Sequence, residues 1–263
     1  MRAAALTLPI AFFACSHAEP APRAPSPGRP SLSVMTYNLN FGVSGDPAAA
    51  ELIAREGTDL VLLQETTPVW ESSLRGALAD RYPFIAFHHC CGAGGLGVLS
   101  RYPIVASEVI EPPERGWFPA WRFELAAPRV RLQVLNVHLR PQISDSGSVV
   151  SGIFGTQPIR RAEIKKYFSE LEPGLPTLVA GDFNEGHRGA ALAFLRSQGF
   201  RSALYDARGS EPTWHWPTSL GTVDAQLDHI AHDPELEPLE ARVVREGASD
   251  HFPVVAVFQL RER

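Results

Sequence analysis

The chain has little cysteine, no excess of positive charge and, beyond its first residues, no long apolar run. It holds 3 cysteines in 263 residues, two of them adjacent, so no disulfide scaffold carries the fold and no zinc-finger spacing is available. Its 24 Lys and Arg against 29 Asp and Glu leave a net charge of -5, which excludes a binder that holds nucleic acid by bulk charge alone. After the N-terminus no apolar run approaches the roughly 18 residues needed to cross a bilayer, so no mature transmembrane helix is expected. What is present is ordinary globular material: 44% hydrophobic and 20% charged residues, long enough to bury a sizeable core.

The first residues read as a targeting segment. Met1 and Arg2 supply a positive charge, Ala3 to Ala14 is apolar apart from Thr7 and Pro9, and Cys15 follows directly. Phe12-Phe13-Ala14-Cys15 resembles a bacterial lipobox, whose cysteine is lipidated, although Phe12 departs from the usual aliphatic residue. Secretory cleavage after Ala18 is the alternative. The reading is therefore a signal peptide over 1–18, with Cys15 as the lipidated residue of a membrane-anchored envelope protein, or else secretion. Residues 19–30 hold five prolines in twelve positions and read as an extended tether. In an exported protein Cys90 and Cys91 could oxidise, but a ring through adjacent cysteines is strained, and two small side chains beside a strand is the simpler reading.

From residue 31 strands and helices alternate. Strands are expected at Ser31–Leu39, Leu60–Gln64, Tyr82–His88, Gly97–Leu99, Ile104–Ile110, Ala120–Leu125, Arg129–Leu139, Thr177–Ala180, Leu227–Ala231, Ala241–Arg245 and Val254–Leu260. Helices fit Asp46–Gly57 and Thr67–Asp80, each with a capping residue followed by proline, and Pro158–Leu171 and Arg188–Gln198. The middle strands, separated by turns, read as an antiparallel meander. So many strands in one domain call for two sheets packed face to face.

Several strands end in polar residues: Asn38, Glu65, His138, Asp182 with Asn184 beyond it, and the words Leu227-Asp228-His229-Ile230 and Ser249-Asp250-His251-Phe252. Singly, each is a turn former, a cap or a satisfied histidine. Together, the acids Glu65, Asp182 and Asp250, the amides and the imidazoles suit a hard cation such as Mg²⁺ or Mn²⁺ better than zinc. His251 beside Asp228 makes an oriented base, with Asp224 as a rival partner.

The series Thr36-Tyr37-Asn38, Leu63-Gln64-Glu65, Gly97 to Ile104, Asn136-Val137-His138-Leu139, Gly181-Asp182-Phe183-Asn184, Leu227 to Ile230 and Ser249 to Val254 resembles the endonuclease/exonuclease/phosphatase superfamily, the DNase I-like fold, across Ser31 to Leu260. The resemblance implies a four-layer α/β/β/α sandwich, one domain over 31–263, hydrolysing phosphoesters with Mg²⁺ at one end of its sheets. It implies that Asn38, Glu65 and Asp250 hold the metal. It also implies that Asp182 positions or deprotonates water, that Asn184 holds a phosphate oxygen, that His251 oriented by Asp228 serves as base or donor, and that His138 stabilises developing charge.

Other segments have plainer readings. His88-His89-Cys90-Cys91 alternates faces along a strand and does not converge on one ion. Gly92 to Gly97 reads as a tight hairpin. Trp214 and Trp216 sit in a Pro-flanked loop, available for stacking on substrate or for packing. Arg160, Arg161, Lys165 and Lys166 form a solvated face of the Pro158–Leu171 helix, whose buried face is Ile164, Phe168 and Leu171; from that solvated face Arg160 or Arg161 could reach a phosphate. The loop from Pro141 to Pro158 has no Lys or Arg but carries Val149, Val150, Ile153 and Phe154. That suits a lipid surface or a small substrate more than a DNA backbone, so the substrate is a nucleic-acid, lipid or small-molecule phosphodiester, hydrolysed by a monomer. The alternative is a surface-tethered member of the fold that only binds.

Overall fold

The structure is a computed structural model that describes residues 22–147, 152, 155–219 and 221–261. The targeting segment with Cys15, and Val149, Val150, Ile153 and Phe154, lie outside the described residues. Fourteen strands are described. One six-stranded sheet runs in the order β13 (Leu236–Val243), β14 (Val254–Leu260), β1 (Ser31–Asn38), β2 (Leu60–Gln64), β4 (Leu96–Ser100), β3 (Phe84–His88). The other runs β5 (Ile104–Ile110), β6 (Ala120–Ala127), β7 (Val130–His138), β8 (Thr177–Asp182), β12 (Asp228–His232), β9 (Arg201–Ser202). A separate hairpin pairs β10 (Trp214–Thr218) with β11 (Gly221–Ala225).

Among the described residues only β1–β2 and β7–β8 are parallel pairs, and each is joined through a helix, because parallel neighbours need a crossover. The first crossover holds α1 (Pro47–Glu56), capped by Asp46 accepting from the Ala48 N–H and ended by Gly57 in the left-handed region. The second holds α3 (Gln157–Ser169). Helix α2 (Pro68–Leu78) begins at Thr67, whose hydroxyl accepts from the Trp70 N–H. Two more helices, α4 (Ala190–Ser197) and α5 (Ala203–Arg208), follow β8 and β9.

Strand alternation sorts the apolar residues into layers. Val34, Leu60, Leu62, Phe123, Val134, Leu178, Ile230 and Phe258 form the core between the two sheets. Met35, Val61 and Leu63 point the other way, onto Leu52, Ile53, Trp70 and Leu74 of α1 and α2. Leu135, Val137 and Val179 pack under Ile164 and Tyr167 of α3 and Leu192 and Leu195 of α4. This is the α/β/β/α sandwich.

Four readings change. The loop holding Trp214 and Trp216 is the β10–β11 hairpin. Strand β13 starts at Leu236, five residues earlier than expected; its Pro238 is tolerated because β13 is an edge strand with a bulge between Pro238 and Glu240. The buried face of α3 is Ile159, Arg160, Glu163, Ile164 and Tyr167, with Phe168 and Leu171 only partly buried. Arg160 is thus no part of a solvated face: it is 1% exposed, pairs with Glu185 at 3.0 Å and donates to the Arg140 carbonyl and the Thr156 hydroxyl. Residues 22–30 hold no helix or strand and are docked on the domain, with the Arg23 N–H on the Leu239 carbonyl and the Ser26 N–H on Gln259 Oε1.

Candidate active site

The polar residues expected at strand ends gather at one edge of both sheets. The ladder registers dictate this. His138 at the end of β7 lies opposite Asp182 at the end of β8, and Asp182 lies opposite Asp228 at the start of β12. On the facing sheet, Asn38 ends β1 beside Gln64, the last residue of β2. Glu65 follows with φ 57°, turning its carboxylate back into the site. Gly181 has φ 143°, and a Cβ there would lie 1.9 Å from the Val137 carbonyl oxygen, so only glycine lets β8 carry Asp182 this close to β7.

One oxygen is the centre of the arrangement. Asp182 Oδ2 accepts from Asn38 Nδ2 at 3.0 Å and Asn184 Nδ2 at 3.3 Å. His138 Nε2 stands 3.5 Å from it and His251 Nε2 3.7 Å. The other oxygen accepts the Asn184 N–H at 2.8 Å. Both imidazoles are oriented through their other nitrogen. His138 Nδ1 donates to the Ala93 carbonyl at 3.1 Å while the ring stacks on Phe118. His251 Nδ1 lies 2.9 Å from Asp228 Oδ2, which also accepts from the Thr213 hydroxyl. Asp224 lies on β11, paired in register with His215, and the partner of His251 is Asp228.

Electrostatics separates the two titrating groups. Burial pushes the Asp182 carboxyl up to about 6, against the pull of His251. Burial alone would discharge His251, but the Asp228 and Asp182 carboxylates outweigh it and raise the imidazole to about 10. Near neutrality Asp182 is an acceptor and His251 a charged donor. His229, the neighbour of Asp228, is driven down to about 4 by burial and is neutral, with Nε2 donating to the Glu185 carbonyl.

The expected metal ligands are connected through a residue that sequence reasoning missed. Asn40 has φ 56°; its N–H donates to Asn38 Oδ1 and its Nδ2 to Asp250 Oδ1. The next residue, Phe41, donates its N–H to Glu65 Oε2. Asp250 Oδ2 takes the indole N–H of Trp214, against which Trp216 stacks. Thr213, Trp214 and Asn40 are therefore parts of the site; the sequence marks Trp214 only as an aromatic available for stacking or packing, not as a partner of Asp250, and marks the other two by nothing beyond the second asparagine of Asn38-Leu39-Asn40. Asn184 has its amide turned to Asp182 and the Leu139 carbonyl. Glu65, Asp182, Asp228 and Asp250 bring carboxylate oxygen to one edge without a thiolate, and Asp228 Oδ1 is buried without a partner. That donor chemistry fits a hard divalent cation. Among the described residues, Asp182, Asp228 and His251 also offer ligand atoms within 4.8 Å of one another.

The family model described as the Endonuclease/Exonuclease/phosphatase family matches residues 35–251. Solved structures share the fold. An endonuclease/exonuclease/phosphatase from Beutenbergia cavernae DSM 12333 superposes with TM-score 0.69 at 21% identity, covering 88% of this chain and 72% of that one. TDP2 of D. rerio complexed with single strand DNA product gives 0.67 at 17% identity, over 87% and 98% of the two chains. The human Nocturnin catalytic domain with bound sulfate anion gives 0.66 at 18%, over 88% and 94%. No curated protein matches the chain.

Proposed function

This chain belongs to the endonuclease/exonuclease/phosphatase family, and from that premise we propose that it hydrolyses phosphodiesters with a divalent cation of the Mg²⁺ class, Mn²⁺ being the natural substitute. The observation that carries the reading is the pair of oriented imidazoles converging on Asp182 Oδ2. In this reading Glu65, with Asn38 and Asp250 behind it, would hold the cation, which when bound supplies positive charge to a phosphoryl oxygen.

The chain's own residues perform the rest. Asp182, ionised near neutrality and held by two amide donors, takes the proton of the attacking water; its raised pKa lies near the range in which a general base works best. His251, kept protonated by Asp228, directs Nε2–H toward the phosphoryl oxygens, and His138, oriented through its Nδ1–H on Ala93, presents Nε2 from the other side. Separated pKa values thus divide the labour between Asp182 as base and His251 as donor. Asn184 acts on Asp182 instead of on the phosphate.

The substrate is proposed as a phosphodiester of nucleic acid, lipid or small-molecule type. Phe41 and Trp216, each about half exposed on segments that touch the site, offer surface to an apolar or base-bearing group. Export through residues 1–18, with Cys15 as lipid anchor, and a monomeric state belong to the same proposal.

The test is nicking of supercoiled plasmid by the purified protein with Mg²⁺, against EDTA and His251→Ala, beside a chromogenic phosphodiester and phosphatidylcholine vesicles. Metal-dependent, His251-dependent cleavage of any one supports the reading and selects the substrate class. A folded protein inert toward all three with Mg²⁺ and Mn²⁺ leaves the binding-only member of the fold as the correct account.

A further inference from the structure

Cys90 and Cys91 lie on the β3–β4 hairpin, outside the hydrolytic machinery, yet the hairpin touches it. Their sulfurs are 2.9 Å apart, against roughly 2.05 Å in a disulfide. Cys90 is half-buried and Cys91 exposed. The Cys91 carbonyl accepts the Gly94 N–H at 2.9 Å and so closes the short turn Gly92–Gly94. Within that turn the Ala93 carbonyl receives the His138 Nδ1–H. Cys90 and Phe118 both press on Gly94, where a Cβ would meet Phe118 at 2.9 Å and the Cys90 sulfur at 3.2 Å, and Phe118 stacks on the His138 ring. The Cys91 thiol also reaches the Trp117 carbonyl at 3.8 Å.

We propose that Cys90 and Cys91 close to a reversible vicinal disulfide, and that closure shifts the Gly92–Gly94 turn and loosens its hold on His138. Adjacent Cα atoms are about 3.8 Å apart, below the roughly 4.4–6.8 Å that disulfides prefer, so the ring is strained and easily reduced. Strained, accessible disulfides are the labile ones, which suits a switch and not a staple. The oxidant is a small-molecule disulfide of the glutathione class. The exposed Cys91 thiolate attacks one of its sulfurs, breaking the S–S bond and releasing one thiolate. Cys90, whose thiol burial keeps protonated until that moment, gives its proton to solvent and attacks the Cys91 sulfur, expelling the second thiol. Two protein thiols are oxidised and one disulfide is reduced to two thiols. Closure removes the Cys91 S–H from Trp117 and twists the Cys90–Cys91 peptide, which immediately precedes the Cys91 carbonyl that closes the turn.

The disulfide and its effect on His138 stand on this geometry; that the switch lowers turnover rests on the phosphodiesterase reading above. The full chain is treated with glutathione disulfide, its remaining thiols are blocked, and the peptide holding both cysteines is weighed. The expected peptide is two hydrogens lighter and is restored by dithiothreitol. Free thiols, or a glutathione adduct that persists, would overturn the disulfide. On the same samples the ring-nitrogen NMR shifts of His138 are expected to move on oxidation in the native protein and to stay fixed in Cys90→Ser and Cys91→Ser. Unmoved shifts in an oxidised native protein would overturn the coupling. Hydrolysis is expected to fall several-fold on oxidation of the native protein alone; equal rates in a demonstrably active enzyme would overturn control of turnover. Inactivity in both redox states counts against the phosphodiesterase reading, while the mass and NMR results still decide the switch.

Discussion

Asp182 and Asp228 stand directly opposite one another in the antiparallel β8–β12 ladder, and the His251 ring presents one nitrogen to each, Nδ1 at 2.9 Å from Asp228 and Nε2 at 3.7 Å from Asp182. Two carboxylates in register on neighbouring strands repel, and a protonated imidazole shared between them offsets that repulsion. The same contact holds His251 charged and leaves Asp182 as the group that accepts.

Asp228→Asn preserves the shape of that contact and removes its charge. His251 then loses the carboxylate that contributes most to raising its pKa. Hydrolysis is expected to fall by about 10²- to 10⁴-fold with the circular dichroism spectrum unchanged. A variant retaining near-native kcat would show that His251 does not act as the charged donor.

Glu65→Gln tests the cation. Mg²⁺ is expected to raise the melting temperature of the native protein, since a ligand bound only by the folded state stabilises it by about 2.7 kcal/mol at a concentration near 100 Kd. The variant, whose single amide oxygen can still accept from Asn38 or from Phe41, is expected to fold and to lose the shift. An equal shift in both proteins would move the cation to the Asp182, Asp228 and His251 group.

Arg160→Ala leaves the Glu185 carboxylate buried without its countercharge. That carboxylate also caps α4 through the N–H groups of Ala190, Ala191 and Leu192. The expected cost is about 3–5 kcal/mol in urea unfolding. KM is expected to be unchanged, because the guanidinium is fully buried among Glu185, Arg140 and Thr156. A raised KM at native stability would return Arg160 to a phosphate-contacting role.

His229 makes the fold acid-sensitive. Its folded pKa of about 4 lies below the unfolded value of 6.5, so the unfolded chain takes up the proton first. Its contribution is full above pH 6.5 and lost as pH falls toward 4, a change of about 3 kcal/mol. Urea midpoints are expected to decline across that window in metal-free protein, and less so in His229→Gln. Parallel declines in both proteins would assign the acid sensitivity elsewhere.

Local signals determined much of this protein. Strands β5 and β14 have the expected bounds, and α1 and α2 are capped at Asp46 and Thr67, because caps and short apolar runs bounded by turn residues act within a few residues. Asn38, Glu65, His138, Asp182, Asp228 and His251 were legible as strand-end polar residues, and the ladder registers bring them to one edge. The tertiary structure alone decided the rest. Arg160 reads as one charge in a charged helix until Glu185, 25 residues away, is brought beneath it. Asn40 becomes a bridge only when Asp250 arrives across 210 residues. The β10–β11 hairpin was hidden because Trp214, His215, Trp216 and Pro217 give no clean alternation, and its Trp214 is tied to Asp250 by a bond made only in the folded chain. Protonation belongs to the same class: the sequence supplies Asp182 and His251, while burial and the neighbouring carboxylates, both properties of the packed interior, decide which accepts and which donates.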